Sequence, residues 1–216
     1  HIQVQTWRKF WRLVQSRMQN SDLFTEISNT KDYKQVRMHE ALKGLRGGQV
    51  LVVDIAPLPM YLQSLVVGDV IRTLFDFKLI DSARSKELGK VVLFVDELNK
   101  FAPKISGGGT GIGTLTKWLL EVTERGRSLG VILFGAEQFR TGVHERVLGN
   151  CATGAHGRTN TIELQRAPDY RHLLSESQRS NLTKLRQGDM LINHPIFRTP
   201  MIKVQFPKPA YRQLKD

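Results

Sequence analysis

Cysteine is almost missing from the 216 residues: Cys151 stands alone, so no internal disulfide can form. This excludes a disulfide-stapled scaffold and suits a reducing, cytoplasmic location. Cys151 has no Cys or His at metal-ligand spacing, and the six His residues show no H-x-x-x-H pattern, which speaks against a zinc site. Cys151 is expected to be a small buried apolar residue. Long hydrophobic runs are also lacking. None approaches the roughly 20 residues that a membrane-crossing helix needs, so no membrane partner is expected. No secretory signal opens the chain at His1, and no nucleophile-elbow pattern surrounds a serine. Acidic residues are the minority charge, 20 against 32 Lys and Arg, leaving a net charge of +12 and a pI of about 10.1. Such an excess suits a polyanion, because each neutralised phosphate releases counterions; a solvated basic surface is the plainer alternative. The cations are spread along the chain, so any nucleic-acid footprint has to be assembled by folding.

What is present is a globular composition, 40% hydrophobic and 24% charged, enough for one domain or most of one. Residues 6–46 read as helical. Trp7, Phe10, Trp11, Val14 and Met18 recur at three- and four-residue steps, with Arg8, Lys9, Arg12 and Arg17 on the remainder. Such a face suits a membrane surface or DNA, but docking on its own domain is the simpler use. Gly47-Gly48 then breaks the chain, which divides it into a helical segment at 1–47 and an α/β segment at 48–216. Continuous apolar runs at 49–55, 91–95 and 131–135 predict strands covered on both faces. Helices are predicted over 60–80, 114–128, near 142–149 and over 168–186. A weaker strand is predicted near 153–159, and "DMLIN" and "MIKVQF" read as strands flanking His194-Pro195. A glycine-rich loop occupies 106–113. The alternation of strands and helices predicts an α/β fold with a mostly parallel sheet flanked by helices.

The chemistry concentrates in "VVLFVDELNKFAP", residues 91–103. Two carboxylates, Asp96 and Glu97, leave the carboxyl end of a buried strand, the edge where open α/β sheets bind ligands. Adjacent acids there can divide the work of nucleotide hydrolysis: Asp96 holding Mg²⁺ through its water shell, Glu97 orienting the attacking water. A strand cap, or acids meeting neighbouring arginines, produces the same pattern. Downstream, in "LLEVTERGRSLGVILFGAEQ", Gln138 stands just past the next strand, at the same edge if the two strands run parallel. Its amide suits contact with both a water and a γ-phosphate, or with loop backbone. Arg127, flanked by Gly126 and Ser128 before Gly130, reads as a turn residue able to reach out of the subunit, or as a cation at a helix C-terminus.

"DELNKFAP", then "GRSLG", then an apolar strand ending in Gln, resembles the HerA/FtsK superfamily of DNA-pumping ATPases, most of all the HerA branch. Residues 48–75 and 148–160 resemble the flanking segments, so the likeness covers roughly 48–204. It implies a RecA-like P-loop NTPase fold, ATP and Mg²⁺ as cofactors, and an ATP-driven double-stranded DNA translocase or helicase. Repair, DNA end processing or defence is the implied setting. It further implies a homo-oligomeric ring, commonly a hexamer, and a partner nuclease. Asp96 matches the Mg²⁺-associated acid, Glu97 the catalytic base, Gln138 the sensor and Arg127 a finger reaching the neighbouring subunit's nucleotide. Lys100 and Lys104 are candidates for DNA contact, with solvated loop charges as the alternative. The HerA branch usually has His where this chain has Asn99. No G-x-x-x-x-G-K-S/T occurs; "GGGTGIGTLTK" lacks the Gly-Lys pair and follows the acids, so the phosphate loop is expected upstream of His1. Two other readings stand beside this one: a DNA-binding or scaffold module of the same fold that hydrolyses nothing, and a conjugation or secretion motor.

Overall fold

"VVLFV" and "VILFG" are short, β-branched and aromatic, and both become strands for that reason. In the computed structural model, which describes residues 3–18, 36–104, 113–167, 170, 174–199 and 201–208, they form β1 (Val91–Val95) and β2 (Val131–Gly135). The two run parallel in register, Val91 against Val131 through Val95 against Gly135. The parallel connection is made by α5 (Leu98–Phe101) and the sixteen-residue α6 (Thr114–Leu129). Residues 19–35, most of the glycine loop and most of 168–173 lie outside the described residues, as do the helical expectations placed on them.

The chain divides into two units, His1–Lys43 and Gly44–Asp216. The first carries α1 (Val4–Met18) and most of α2 (Met38–Gly44). On α1 the expected aromatic face is present: Trp7 and Phe10 stack at 5.4 Å, and with Trp11 they are more than half exposed.

The second unit is built around α3 (Met60–Leu79), whose apolar run was expected to be a buried helix. Ile71 and Phe75 of α3 join Leu119, Leu120 and Val122 of α6 and Val95 and Val131 of the strands in one core, with Phe75 edge-on to Trp118 at 6.1 Å. Period-2 alternation sends Leu93, Val95, Val131 and Leu133 into this core. Val92, Phe94, Ile132 and Phe134 line the opposite face, which is exposed, and Phe94 stacks on Phe134 at 5.4 Å. A short helix, α4 (Ser82–Leu88), capped by the Asp81 carboxylate, joins α3 to β1.

Residues 49–55, expected to be a third parallel strand, form none. A strand needs a hydrogen-bonded neighbour, and the ladder of β1 runs only to β2 among the described residues. Val50 and Val52 are accordingly 87% and 81% exposed, while Ile55 reaches the core. Asp54 accepts the Ala56 amide and turns the chain ahead of Pro57.

Past β2 the chain makes a 3₁₀ turn at Arg140–Gly142, then α7 (Glu145–Gly149), β3 (Gly154–His156), α8 (Thr161–Arg166), α9 (Glu176–Thr183), β4 (Asp189–Asn193) and β5 (Ile202–Gln205). The last three strands form an antiparallel sheet in the order β3-β4-β5, separate from the parallel pair. Leu164, Leu182 and Leu185 anchor a second core beside it. Cys151, expected to be buried, is exposed just past the end of α7, and its thiol donates to the Val147 carbonyl at 3.3 Å.

Candidate functional site

The site forms where β1 and β2 end together. Beyond Val95 and Gly135 the two chains stay tied: the Ala136 amide donates to the Val95 carbonyl and the Leu98 amide to the Ala136 carbonyl, both at 2.9 Å. Asp96 and Glu97 therefore leave the sheet beside residues 136–138. Gln138 lies two residues past Ala136, at most about 7 Å of extended chain. Asp96, Glu97 and Gln138 thus share the carboxyl edge of the parallel pair. Asp96 and Gln138 are exposed and Glu97 is half-buried.

Glu97 has φ 51 and ψ 47, the one non-glycine residue with positive φ among the described residues. An L residue held there costs on the order of 1 kcal/mol or more, and such strain collects at functional sites. Its amide donates to Asp96 Oδ1 at 2.9 Å, and its carboxylate pairs with the Lys100 ammonium one turn on. Lys100 is therefore a partner of Glu97 before it is a DNA contact, although both side chains are about two-fifths exposed and such pairs open readily. Lys104 is exposed. The turn is seated by Leu98, which is buried. A Cβ on Gly135 would come within 2.5 Å of Leu98 Cδ2, so the glycine that ends β2 leaves room for Leu98 in this rotamer.

Further bonds zip the two segments together. Lys104 N–H donates to the Gly142 carbonyl and His144 N–H to the Ala102 carbonyl, both at 2.8 Å, around an antiparallel bridge between Pro103 and Val143. A Cβ on Gly142 would lie 3.5 Å from the Asn99 Cβ, which places Asn99 against this loop.

Of the two readings of Arg127, turn residue or cation at a helix C-terminus, the second holds: it belongs to the last turn of α6, where it is exposed. The helix continues because Gly126 lets it touch the strand: a Cβ there would lie 2.4 Å from the Val131 carbonyl oxygen. Gly130, at φ 70, ends it. Arg127 consequently sits ahead of the amino end of β2, whereas Gln138 follows its carboxyl end. Five strand residues separate these edges, about 16 Å at the usual rise. Asp96, Glu97 and Gln138 come together; Arg127 does not join them.

Two buried or half-buried acids escaped the sequence reading. Burial pushes the Glu137 carboxyl above the usual range; Arg140 opposes this and Glu163 nearby adds to it. Glu163, in α8, is 5% exposed and accepts two bonds from Thr141, from N–H on Oε1 and from Oγ1 on Oε2, each 2.7 Å. In sequence it looks like any acid in a first helical turn.

Among the described residues no cluster of three or more His, Cys, Asp or Glu suits a metal ion. Mg²⁺ needs no such cluster, being commonly held by one or two carboxylates with water and substrate phosphate. Asp96, exposed and with Oδ1 alone engaged, fits that use. Among the described residues no helix is long and apolar enough to cross a membrane.

No protein-family model and no curated protein matches the chain. Among solved structures it is similar to the genome packaging NTPase B204 from Sulfolobus turreted icosahedral virus 2 in complex with ATP-gammaS. Identity is 16%, over 81% of this chain and 74% of that one, with a TM-score of 0.55. It is also similar to B204, the DNA-packaging ATPase from Sulfolobus Turreted Icosahedral Virus, at 14% identity over 94% of this chain and 90% of that one, TM-score 0.52. At this identity the likeness establishes architecture: the chain has an α/β fold of the P-loop NTPase kind, with a parallel sheet and flanking helices.

Proposed function

We propose that the chain carries the catalytic carboxylates of an ATP-hydrolysing, double-stranded DNA motor of the HerA/FtsK kind. The observation that carries this reading is the pairing of β1 with β2, which sets Asp96-Glu97 beside Gln138 at one sheet edge. The fold shared with a DNA-packaging ATPase supports it, as does the net charge of +12. Within the site, Asp96 would hold Mg²⁺ through water. Bound Mg²⁺ supplies charge neutralisation on the phosphates. Glu97 orients the attacking water and takes its proton; Gln138 fixes that water from the other strand. Lys100 has to release Glu97 for this, a small cost at an exposed pair. Arg127 acts on the nucleotide of a neighbouring subunit, which requires a homo-oligomeric ring; a hexamer working with a partner nuclease in repair or defence is the setting proposed.

The alternative is a scaffold of the same fold that binds DNA and hydrolyses nothing, favoured by the lack of G-x-x-x-x-G-K-S/T in these 216 residues. The test uses the full-length protein with duplex DNA. DNA-stimulated ATPase is expected, and Glu97→Gln should reduce kcat by about a hundredfold or more while ATP binding stays. Full activity of Glu97→Gln ends the catalytic assignment. DNA binding without any ATP affinity in the wild type favours the scaffold.

A further inference from the structure

We infer that Glu163 is a positioning residue for Gln138, anchoring the loop after β2 to the α8 side of the second core. The inference rests on the ATPase reading for its catalytic consequence, but its geometry is independent of that reading.

Gln138 stands two residues ahead of the 3₁₀ turn at Arg140–Gly142. Three residues on, the 3₁₀ turn closes with Gly142 N–H donating to the Phe139 carbonyl at 3.0 Å and Val143 N–H to the Arg140 carbonyl at 3.1 Å. The place of Thr141 therefore sets the direction in which the chain leaves Gln138. Both polar donors of Thr141 end on one carboxylate, Glu163. On its other side the turn is held to the segment that follows Glu97: Lys104 N–H donates to the Gly142 carbonyl, His144 N–H donates to the Ala102 carbonyl, and Pro103 bridges to Val143. The turn is thus clamped from two directions, and Glu163 supplies the one that comes from outside the parallel sheet.

α8 is a firm support. Asn160 Oδ1 accepts the Ile162 amide at 2.8 Å and caps the helix, and Leu164, next to Glu163, is part of the second core. Thr159 N–H donates to the Leu182 carbonyl at 3.2 Å, which ties the approach to α8 onto α9. A buried carboxylate is costly unless bonded, whereas an apolar pair of the same size would hold two elements together as well. What charge-assisted bonds to one N–H and one O–H add is orientation. Two further groups, Glu137 and Arg140, act electrostatically with Glu163 on the Tyr170 hydroxyl. Glu163 touches no substrate; it acts through the loop.

The experiment compares Glu163→Ala, Glu163→Gln and Thr141→Val with wild type in the full-length protein. It follows duplex-stimulated ATPase per site titrated with a fluorescent ATP analogue, and amide hydrogen exchange over residues 136–142. Glu163→Ala is expected to lower kcat about tenfold or more with KM for ATP within about twofold, since a displacement near 1 Å at a reacting group is that costly. Glu163→Gln should recover to within about threefold, because its amide can accept from Thr141 N–H and donate to Thr141 Oγ1. Unchanged kcat in folded, analogue-binding Glu163→Ala overturns the inference, and so does a Gln variant as slow as the Ala variant. If Glu163→Ala does not fold, Thr141→Val carries the test, with kcat expected about threefold or more below wild type and an unchanged kcat overturning it. If the wild type hydrolyses no ATP, the ATPase reading falls and exchange alone decides: faster exchange over 136–142 in the variants supports the positioning role, and unchanged exchange removes it.

Discussion

The amide of Leu98, three residues past the end of β1, donates at 2.9 Å to the carbonyl of Ala136, one residue past the end of β2. That single bond joins the turn carrying Asp96 and Glu97 to the segment leading to Gln138. It makes one site of residues more than forty positions apart, Asp96 and Glu97 on one side and Gln138 on the other. It also fixes what the site leaves out: Arg127 precedes β2, so within one subunit the strand lies between it and the acids.

Gly126 is predicted to be intolerant of a side chain. A Cβ there would meet the Val131 carbonyl oxygen at 2.4 Å, a backbone atom that moves only if α6 lifts from β2. Alanine gains helix propensity, about 1 kcal/mol, but crowding a packed contact costs about 1–3 kcal/mol. Gly126→Ala should therefore lower stability, by about 1 kcal/mol net. Gly149→Ala, at an exposed helix end with nothing within 4 Å of the added Cβ, should be neutral or stabilising. Urea midpoints of the two variants check this; equal midpoints would contradict the close helix–strand contact.

Much of this was legible in the sequence because local pattern and tertiary outcome agree. "VVLFV" and "VILFG" are short and apolar on both sides, which only a strand accommodates well, and the polar residues after each had to fall on one edge once the strands ran parallel. Residues 49–55 carry the same pattern without its outcome, since a strand is made by its neighbour and pattern cannot supply one. The helix predicted over 114–128 already contains Arg127, and the turn reading, which rests on glycine as the usual signal of a turn, fails. Gly126 instead serves a close helix–strand approach, which depends on packing and leaves no trace in local spacing. Glu163 was invisible for a related reason: its partner, Thr141, is 22 residues away, and nothing in "TIELQR" says that its third residue is buried.

His156 should make stability fall below neutral pH. The ring is buried, with Nε2 3.0 Å from Asn193 Oδ1 and Nδ1 3.3 Å from the Tyr170 hydroxyl. Burial pushes its pKa below the ordinary 6.5, the Arg140 charge adds to this, and the bond to Asn193 opposes it. Between the lowered folded value and 6.5 the unfolded chain holds a proton that the folded chain does not. The stabilisation is therefore complete above about 6.5 and is lost as pH falls toward the folded pKa, at up to about 1.4 kcal/mol per pH unit. Urea unfolding at pH 7.5, 6.5, 5.5 and 5.0 should show the midpoint dropping in wild type. His156→Gln should show a shallower drop over the same range. Parallel curves for the two proteins would assign the pH dependence elsewhere.

Arg127 is predicted to act across a subunit boundary. It is exposed in the last turn of α6, about one strand length from the edge that carries Asp96, Glu97 and Gln138, so it cannot serve the acids of its own subunit. Arg127→Ala should leave folding and nucleotide binding nearly intact, because an exposed cation contributes little stability. Hydrolysis by the full-length protein should nonetheless fall by about 10³-fold or more, the scale on which an arginine supplied in trans acts on the transition state. Glu97→Gln should be comparably inactive. Mixed in one ring, the two variants restore a fraction of sites in which an intact Glu97 faces an intact Arg127. ATPase activity should therefore rise above that of either variant alone and peak near equal mixing. If subunits demonstrably exchange and no activity returns, the trans assignment fails. If Arg127→Ala alone keeps near-wild-type hydrolysis, the exposed arginine is only a favourable charge at the end of a helix.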